Sequence, residues 1–177
     1  MKQLRRLIWF IASRLFVAVL VLGILVTVFY FSMNAANIYV ILKDGMARRA
    51  QVIMMDEDPA VLNGYFSDVY LQRDTLLTAT LEHGSVYTNY YDITGINHSL
   101  QLESVWCWPW DDTARAVFVE SIQGIDGRLK ASVRLMAQEM GLTNAPPAWA
   151  KIRYEAVLTK DNNRWVIRNL TQNGVLE

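Results

Sequence analysis

The sequence predicts an α+β protein with an N-terminal transmembrane helix followed by a domain in which helices pack on a curved antiparallel sheet. Three observations support this prediction. Leu15 to Phe31 is an apolar run without a charge. Asn34 to Met55 then carries apolar residues near helical spacing, and the C-terminal part alternates apolar and polar residues as half-buried strands do.

Residues 15–33 match the roughly 20 residues that a helix needs to cross the hydrocarbon core of a bilayer. Trp9 and Tyr30 flank the span, where amphipathic aromatic residues are enriched. The positive charges before the span predict a cytoplasmic N-terminus, because basic residues stay on the inner side. These charges belong to Lys2, Arg5, Arg6 and Arg14. The predicted parts are a cytoplasmic tail (1–14), a transmembrane helix (15–33) and an extracytoplasmic domain (34–177).

The competing interpretation of this N-terminus is a cleaved signal peptide. Its apolar region is longer than signal peptides use, and Met33 to Ala36 lacks a clean small-x-small cleavage pattern. The sequence therefore favours an uncleaved signal anchor in the cell membrane, with a single span.

The region after the span is expected to begin with helices. Ile38, Leu42, Ala50 and Ile53 recur near helical spacing, and Lys43, Arg48 and Arg49 are assigned to the other positions. Gly45 is the weak point and is expected to mark a bend.

Asp58 and Pro59 predict the start of a second short helix that runs to Tyr65 and continues from Ser67 to Leu71. Asp accepts a hydrogen bond at a helix N-terminus, and Pro suits the first helical position.

Two hairpins are predicted. In the C-terminal one, alternating residues from Ile152 to Thr159 and from Arg164 to Arg168 flank the turn Lys160 to Asn163. In the earlier one, a strand from about Tyr91 to Trp108 pairs with Thr113 to Ile122. Leu100, Leu102, Trp106 and Trp108 share one parity and are expected to face inward. For the segment 124–147 the sequence leaves two alternatives, a short helix or a loop.

Charge and composition exclude several classes of function. The part beyond the span contains 17 acidic and 13 basic residues, which gives a net charge of about −4. This charge argues against nucleic acid as a partner. One cysteine, Cys107, cannot form an intramolecular disulfide. One cysteine and two histidines are too few for a typical zinc site, and no cofactor is predicted.

The order of helices followed by long antiparallel strands resembles the nuclear-transport-factor-2-like superfamily, a cone-shaped α+β fold. The likeness rests on Arg153 to Ile167, where a strand, an Asp-Asn turn and a strand with Trp165 two residues before Ile167 match how many members end. A membrane-anchored domain of this fold also resembles the inner-membrane assembly proteins of type IV secretion and conjugation systems. The segment 124–147 departs from a minimal domain of this fold.

The resemblance implies a conical pocket between sheet and helices, in which some relatives are enzymes. An isomerase-like site needs a carboxylate base and a Tyr or protonated acid as oxyanion donor. The candidate pocket residues are Tyr65, Tyr70, Tyr90, Tyr91 and Asp92. Their spacing does not demand catalysis, and the favoured interpretation is that the tyrosines fill the cone and find hydrogen-bond partners at its rim, so no catalytic residue is assigned.

Two segments are candidates for binding a protein partner. In the first, Trp106 and Trp108 face inward with Trp110 over the corner of the core, which is the favoured interpretation, or all three form an exposed aromatic end that acts as a binding hot spot. The second segment is a Met- and Leu-rich stretch whose predicted helical face is either a docking surface or packs on its own sheet. This face comprises Leu129, Val133, Met136 and Met140.

The sequence therefore favours a membrane-tethered, non-enzymatic domain that scaffolds or regulates an envelope complex. Its partners would be the membrane and other envelope proteins, and a homo-oligomer is compatible with the sequence. The alternatives are a ligand-binding or sensing domain that uses the cone, and an enzyme of the isomerase or dehydratase type.

Overall fold

The computed structural model describes residues 2–176, so Met1 of the predicted tail and Glu177 of the predicted domain lie outside it. The chain is α+β, with a long helix, short helices and a four-stranded sheet. The α-helices are α1 (Lys2–Met55), α2 (Asp68–Leu71), α3 (Thr75–His83), α4 (Val86–Tyr90) and α5 (Arg134–Glu139). The strands are β1 (Tyr91–Trp106), β2 (Thr113–Leu129), β3 (Lys151–Asp161) and β4 (Arg164–Leu176). Two 3-10 helices span Pro59–Gly64 and Ala131–Val133.

Helix α1 has two halves with different surroundings. From Trp9 to Met33 most apolar side chains are exposed around the helix, and the helix is long and apolar enough to cross a membrane. From Asn34 onward, one face becomes buried against the sheet, with Ile38, Leu42, Met46 and Ile53 removed from solvent. The same helix therefore connects the predicted membrane segment to the core of the domain.

Gly45 does not bend α1, so the prediction of a bend is wrong. The helix is continuous there, and Gly45 is buried where Tyr65 and β4 approach α1 closely. A Cβ atom at this position would lie 3.0 Å from Cβ of Tyr65 and 3.3 Å from Cδ1 of Ile167. A side chain at this position would therefore press on Tyr65 and Ile167, and glycine avoids this contact.

Side-chain caps define the short helices. Asp58 accepts a hydrogen bond from the amide of Ala60 at 2.9 Å, which confirms its predicted capping role, although the turn that follows is a 3-10 helix and ends at Gly64. Ser67, Asp74 and Ser85 cap α2, α3 and α4 in the same way. These caps satisfy amide groups that have no partner within the helix.

The sheet is an antiparallel meander with the order β1-β2-β3-β4. Its inner face packs on α1 and the short helices, and Phe66, Phe118, Leu158 and Ile167 lie fully buried between them. The core of the domain is therefore the space between one helical layer and one sheet.

The predicted C-terminal hairpin is confirmed. β3 and β4 pair up to Asp161 and Arg164, which leaves Asn162 and Asn163 as a two-residue turn. Both asparagines have positive φ, at 48° and 63°. Two successive residues with positive φ are typical of the type I′ turn, whose twist suits an antiparallel hairpin.

The first hairpin is confirmed in outline, but the prediction that Trp106 and Trp108 face inward is wrong. A register shift between Leu102 and Ser104 inserts one residue into β1. A bulge of this kind reverses which side chains face the core beyond it. Cys107 is therefore buried, whereas both tryptophans lie on the solvent side.

Strand β2 extends to Leu129, seven residues past its predicted end at Ile122. Leu129 is thus a buried strand residue opposite Tyr91, not the first residue of a helical face. The predicted helix exists only as α5, with Val133 preceding it and Met140 following it. β2 extends past Ile122 because β1 is long enough to pair with this segment, so the hydrogen bonds between the two strands continue to Leu129.

Candidate functional site

An ion pair lies buried between α1 and α3. Nε of Arg49 is 2.6 Å from Oδ2 of Asp74, and Nη2 of Arg49 donates to Oδ1 at 3.0 Å. Both side chains are almost fully removed from solvent. This two-point geometry is the strongest form of the arginine–carboxylate interaction. The assignment of Arg49 to a non-core position of α1 is therefore wrong.

Further hydrogen bonds hold the carboxylate of Asp74. It accepts from the hydroxyl of Tyr70 at 3.1 Å and from the amide of Leu77 at 3.2 Å. Burial alone would favour the neutral acid, but the hydrogen bond and charge of Arg49 outweigh it and keep the pKa of Asp74 below its ordinary value. Burial likewise opposes the charge on Arg49, yet Asp74 raises the pKa of the guanidinium. Both groups are therefore charged at neutral pH.

Two tyrosines border this ion pair. Burial raises the pKa of Tyr70 above its ordinary value. Burial and the nearby charge of Glu120 raise the pKa of Tyr154 to about 12. Both phenols are therefore neutral hydrogen-bonding groups at neutral pH, and neither can serve as an anionic base.

Glu120 is fully buried on the inner face of β2. Its Oε1 lies 3.2 Å from Nε2 of His98 on β1. Among the residues that the structure describes, Oε2 of Glu120 and Nη1 of Arg49 have no hydrogen-bond partner. Buried polar atoms without partners are costly, so each of these two atoms carries an unmet demand for a hydrogen bond.

A cleft of about 250 Å³ opens over the ion pair of Arg49 and Asp74. Its lining includes Arg49, Tyr70, Asp74 and Tyr154, with Gln172 at the side of β4. The available chemistry is hydrogen-bond donation from the guanidinium and the neutral phenols. Asp74, the carboxylate among the described residues that line the cleft, already pairs with Arg49 and is therefore not a free general base.

The predicted pocket residues do not converge on this cleft. Tyr70 lines it, whereas Tyr91 and Asp92 line a different cleft of about 190 Å³ beside Lys130. Tyr65 packs against the core near Gly45, and Tyr90 packs against the cluster around Leu129. The phenol of Tyr91 donates to the carbonyl oxygen of Thr143 at 2.9 Å, as expected of a tyrosine that completes packing.

Trp106, Trp108 and Trp110 form an exposed aromatic stack that we term the tryptophan surface. Their exposed fractions are 61%, 42% and 71%. The rings of Trp108 and Trp110 are stacked at 5.3 Å, and Trp106 meets Trp108 edge-on at 5.4 Å. Trp110 is therefore an exposed residue and does not cover a corner of the core.

The second exposed apolar region comprises Leu135, Met136 and Met140, which we term the α5 surface. The exposed fraction of Leu135 is 80%, and both methionines are more than half exposed. Val133 is half-buried, and Ala137 anchors α5 to the pair Tyr91 and Leu129. Met136 and Met140 thus remain available to a partner, whereas Leu129 does not.

Sequence reasoning missed the buried charges, although the signals exist. Arg49 lies three residues after Met46 and four before Ile53, which places it on the buried face of α1. Glu120 shares the parity of Ala116 and Phe118 on β2. Asp74 carries no comparable signal, because its burial depends on how α3 folds back on α1.

Within residues 2–176, no cluster of three or more His, Cys, Asp or Glu side chains is placed to hold a metal ion. The chain matches no protein-family model, no curated protein and no solved structure.

Proposed function

We propose that this chain is a single-pass membrane protein whose extracytoplasmic domain scaffolds or regulates an envelope protein complex. In this proposal the N-terminus is cytoplasmic, the domain belongs to the nuclear-transport-factor-2-like superfamily, and the α5 surface binds another envelope protein. A role in a secretion or conjugation machine of the type IV class is the form of this proposal that the resemblance favours.

The observation that carries the proposal is the continuity of α1. The residues that would cross the bilayer and the residues that form the core belong to one helix without a linker. The domain would therefore be held at a fixed height and orientation above the membrane. Such a fixed position suits a component that organises neighbours in the membrane.

The α5 surface lies at the end of the domain that is distant from the predicted span. Ala137 packs beside Tyr91 and Leu129, and Tyr91 lines a cleft with Met55 at the end of α1. Met55 is 22 residues beyond Met33, which corresponds to about 33 Å along the helix. Leu and Met side chains adapt to apolar protein surfaces, so a protein partner fits this position.

Site-specific photo-crosslinking in the native membrane tests this proposal. A photoreactive residue replaces Met136 in the full-length chain, and the matched control carries it at Leu81, an exposed apolar residue on α3. A discrete adduct with an envelope protein from position 136, weakened by Leu135→Asp and absent from position 81, is the expected result. Equal labelling from both positions, or none, would contradict a docking role for α5.

Binding of a small molecule in the cleft over Arg49 is the second candidate. It is favoured by Arg49, which lines the cleft and whose Nη1 has no hydrogen-bond partner among the described residues. Thermal melting of the full-length chain with a panel of small carboxylates and amides tests it. A stabilising compound whose effect is lost in Tyr154→Phe would support this function, and a panel without effect would contradict it.

A further inference from the structure

The tryptophan surface lies at the same end of the sheet as the β3–β4 turn. β1 ends at Trp106 and β2 begins at Thr113, which pairs with Thr159 near the end of β3. The amide of Lys160 donates to the carbonyl oxygen of Asp112 at 2.9 Å, and its Nζ donates to that of Asp111 at 3.3 Å. The loop that carries Trp108 and Trp110 is therefore fastened to the end of β3.

The β3–β4 turn in turn lies beside the start of the buried half of α1. Asn163, Arg164 and Trp165 line one cleft together with Asn37 and Ile41. Asn37 and Ile41 are four and eight residues beyond Met33, or about 6–12 Å along the helix axis. This end of the sheet thus stands just above the point where the apolar span finishes.

With α1 spanning the bilayer as proposed, the lower part of this height range, near Asn37, lies at the level of the lipid headgroups. The interfacial region adds roughly 5–8 Å to each side of the hydrocarbon core. Tryptophan is enriched in this region because its ring is apolar and its N–H remains hydrogen-bonded. Three adjacent tryptophans exposed at this level have the chemistry of an interfacial anchor.

The charges around the tryptophan surface indicate which lipids it suits. Arg115, Lys160 and Arg164 lie at this end of the sheet together with the acidic Asp111, Asp112 and Asp161. The local charge is balanced, so attraction to anionic lipids is not what would hold the surface. Insertion of the aromatic rings into a zwitterionic interface would hold the surface instead.

We propose that Trp106, Trp108 and Trp110 insert into the headgroup region of the bilayer that α1 spans. The domain then contacts the membrane at two points, α1 and the tryptophan surface, which fixes its rotation about α1 as well as its height. This proposal rests on the membrane span in the proposed function. It assigns the lipid surface, not a protein, as the occupant of the exposed tryptophans.

Quenching by brominated lipids tests the proposal in the full-length chain. The chain carries Trp9→Phe, so that the tryptophan beside the predicted span adds no signal, and is reconstituted in phosphatidylcholine vesicles. We expect bromine near the headgroups to quench the fluorescence more strongly than bromine near the acyl ends. The further substitutions W106F, W108F and W110F should remove most of that quenching, because Trp165 is buried and Trp149 is half-buried. An unchanged melting curve confirms that folding is intact.

A reporter at the other end of the domain is the matched control. L135W, introduced into the variant that lacks Trp9 and the tryptophan surface, should not be quenched by brominated lipid. Quenching of L135W equal to that of the tryptophan surface would overturn the proposal, because the domain would then have no fixed orientation.

Two other results would overturn the proposal in distinguishable ways. If the tryptophans are shielded from brominated lipid and also from aqueous iodide, while the chain resists alkaline carbonate extraction, a second copy of the chain covers them and the membrane span stands. If carbonate extracts the chain from membranes, the span itself fails and the tryptophan anchor fails with it.

Discussion

Arg49 on α1 and Asp74 at the start of α3 form a two-point ion pair, with 2.6 Å between Nε and Oδ2 and 3.0 Å between Nη2 and Oδ1. The pair joins residues 25 positions apart and lies within the core. It therefore fixes how the short helices fold back on the helix that continues into the predicted membrane segment.

Removal of one partner of this pair should destabilise the domain strongly. We expect Asp74→Asn to lower the free energy of unfolding by about 3–5 kcal/mol, because it leaves the guanidinium of Arg49 buried without a counter-charge. Urea unfolding of the full-length chain in detergent, followed by tryptophan fluorescence, measures this loss. The double substitution R49M/D74L should recover much of the stability, since an apolar pair has no charge to desolvate. A double variant that is less stable than Asp74→Asn would contradict this account.

The same pair predicts how stability depends on pH. The pKa of Asp74 is lower in the folded chain than the ordinary value of 3.8. The stability that Asp74 provides is thus fully present above that value and is lost as the pH falls through the lower folded pKa. The difference in unfolding free energy between the wild type and Asp74→Asn should stay constant at higher pH and shrink below pH 3.8. A difference that already shrinks well above pH 3.8 would show that the carboxylate is not held in its ionised form.

Local patterns in the sequence predict the α+β class, the long first helix and the C-terminal hairpin. The hairpin is predictable because Asn162 and Asn163 determine the turn and Trp165 and Ile167 determine the buried face. Each of these features depends on residues close together in the chain. Neighbouring residues alone are enough to specify such an element.

The face of the sheet on which Trp106 lies depends on a bulge that neighbouring residues do not reveal. Leu100 and Leu102 point to the core, but the extra residue before Ser104 reverses the alternation. The ion pair of Arg49 with Asp74 likewise requires the fold of α2 and α3. These features arise from contacts between distant segments, so the candidate site was predicted far less well than the fold class.

Substitution at Gly45 tests the close packing of α1 on β4. Alanine is the better helix former by about 1 kcal/mol, yet its Cβ would lie 3.0 Å from the rigid Cβ of Tyr65. We expect Gly45→Ala to destabilise the domain by about 1–3 kcal/mol, as overpacking does. Gly23→Ala is the matched control in the same helix, because a Cβ atom there would meet no neighbouring atom within 4 Å. Stabilisation by Gly45→Ala in thermal melting would show that Tyr65 can move away.

The β3–β4 turn predicts opposite effects for two substitutions at one position. Asn163 has a φ of 63° in the two-residue turn. Asn163→Gly should stabilise the hairpin slightly, because glycine is preferred at the second position of a type I′ turn. Asn163→Val should destabilise it, because a β-branched residue strongly disfavours positive φ. Melting temperatures of the two variants measure the effect, and the same sign for both would contradict the turn assignment.

Two tryptophans of the same end of the domain should respond differently to truncation. Trp165 is buried on the inner face of β4, with Nζ of Lys160 4.9 Å from its ring centroid, so Trp165→Ala should cost about 3–5 kcal/mol of stability. Trp110 is exposed, and Trp110→Ala should change the free energy of unfolding by less than about 1 kcal/mol. The same substitution should weaken the binding of the tryptophan surface to the lipid headgroups. Urea unfolding measures the first effect, and brominated-lipid quenching measures the second. A large loss of stability in Trp110→Ala would mean that the aromatic stack supports the β1–β2 loop, and exposure alone would then no longer argue that the stack binds a membrane.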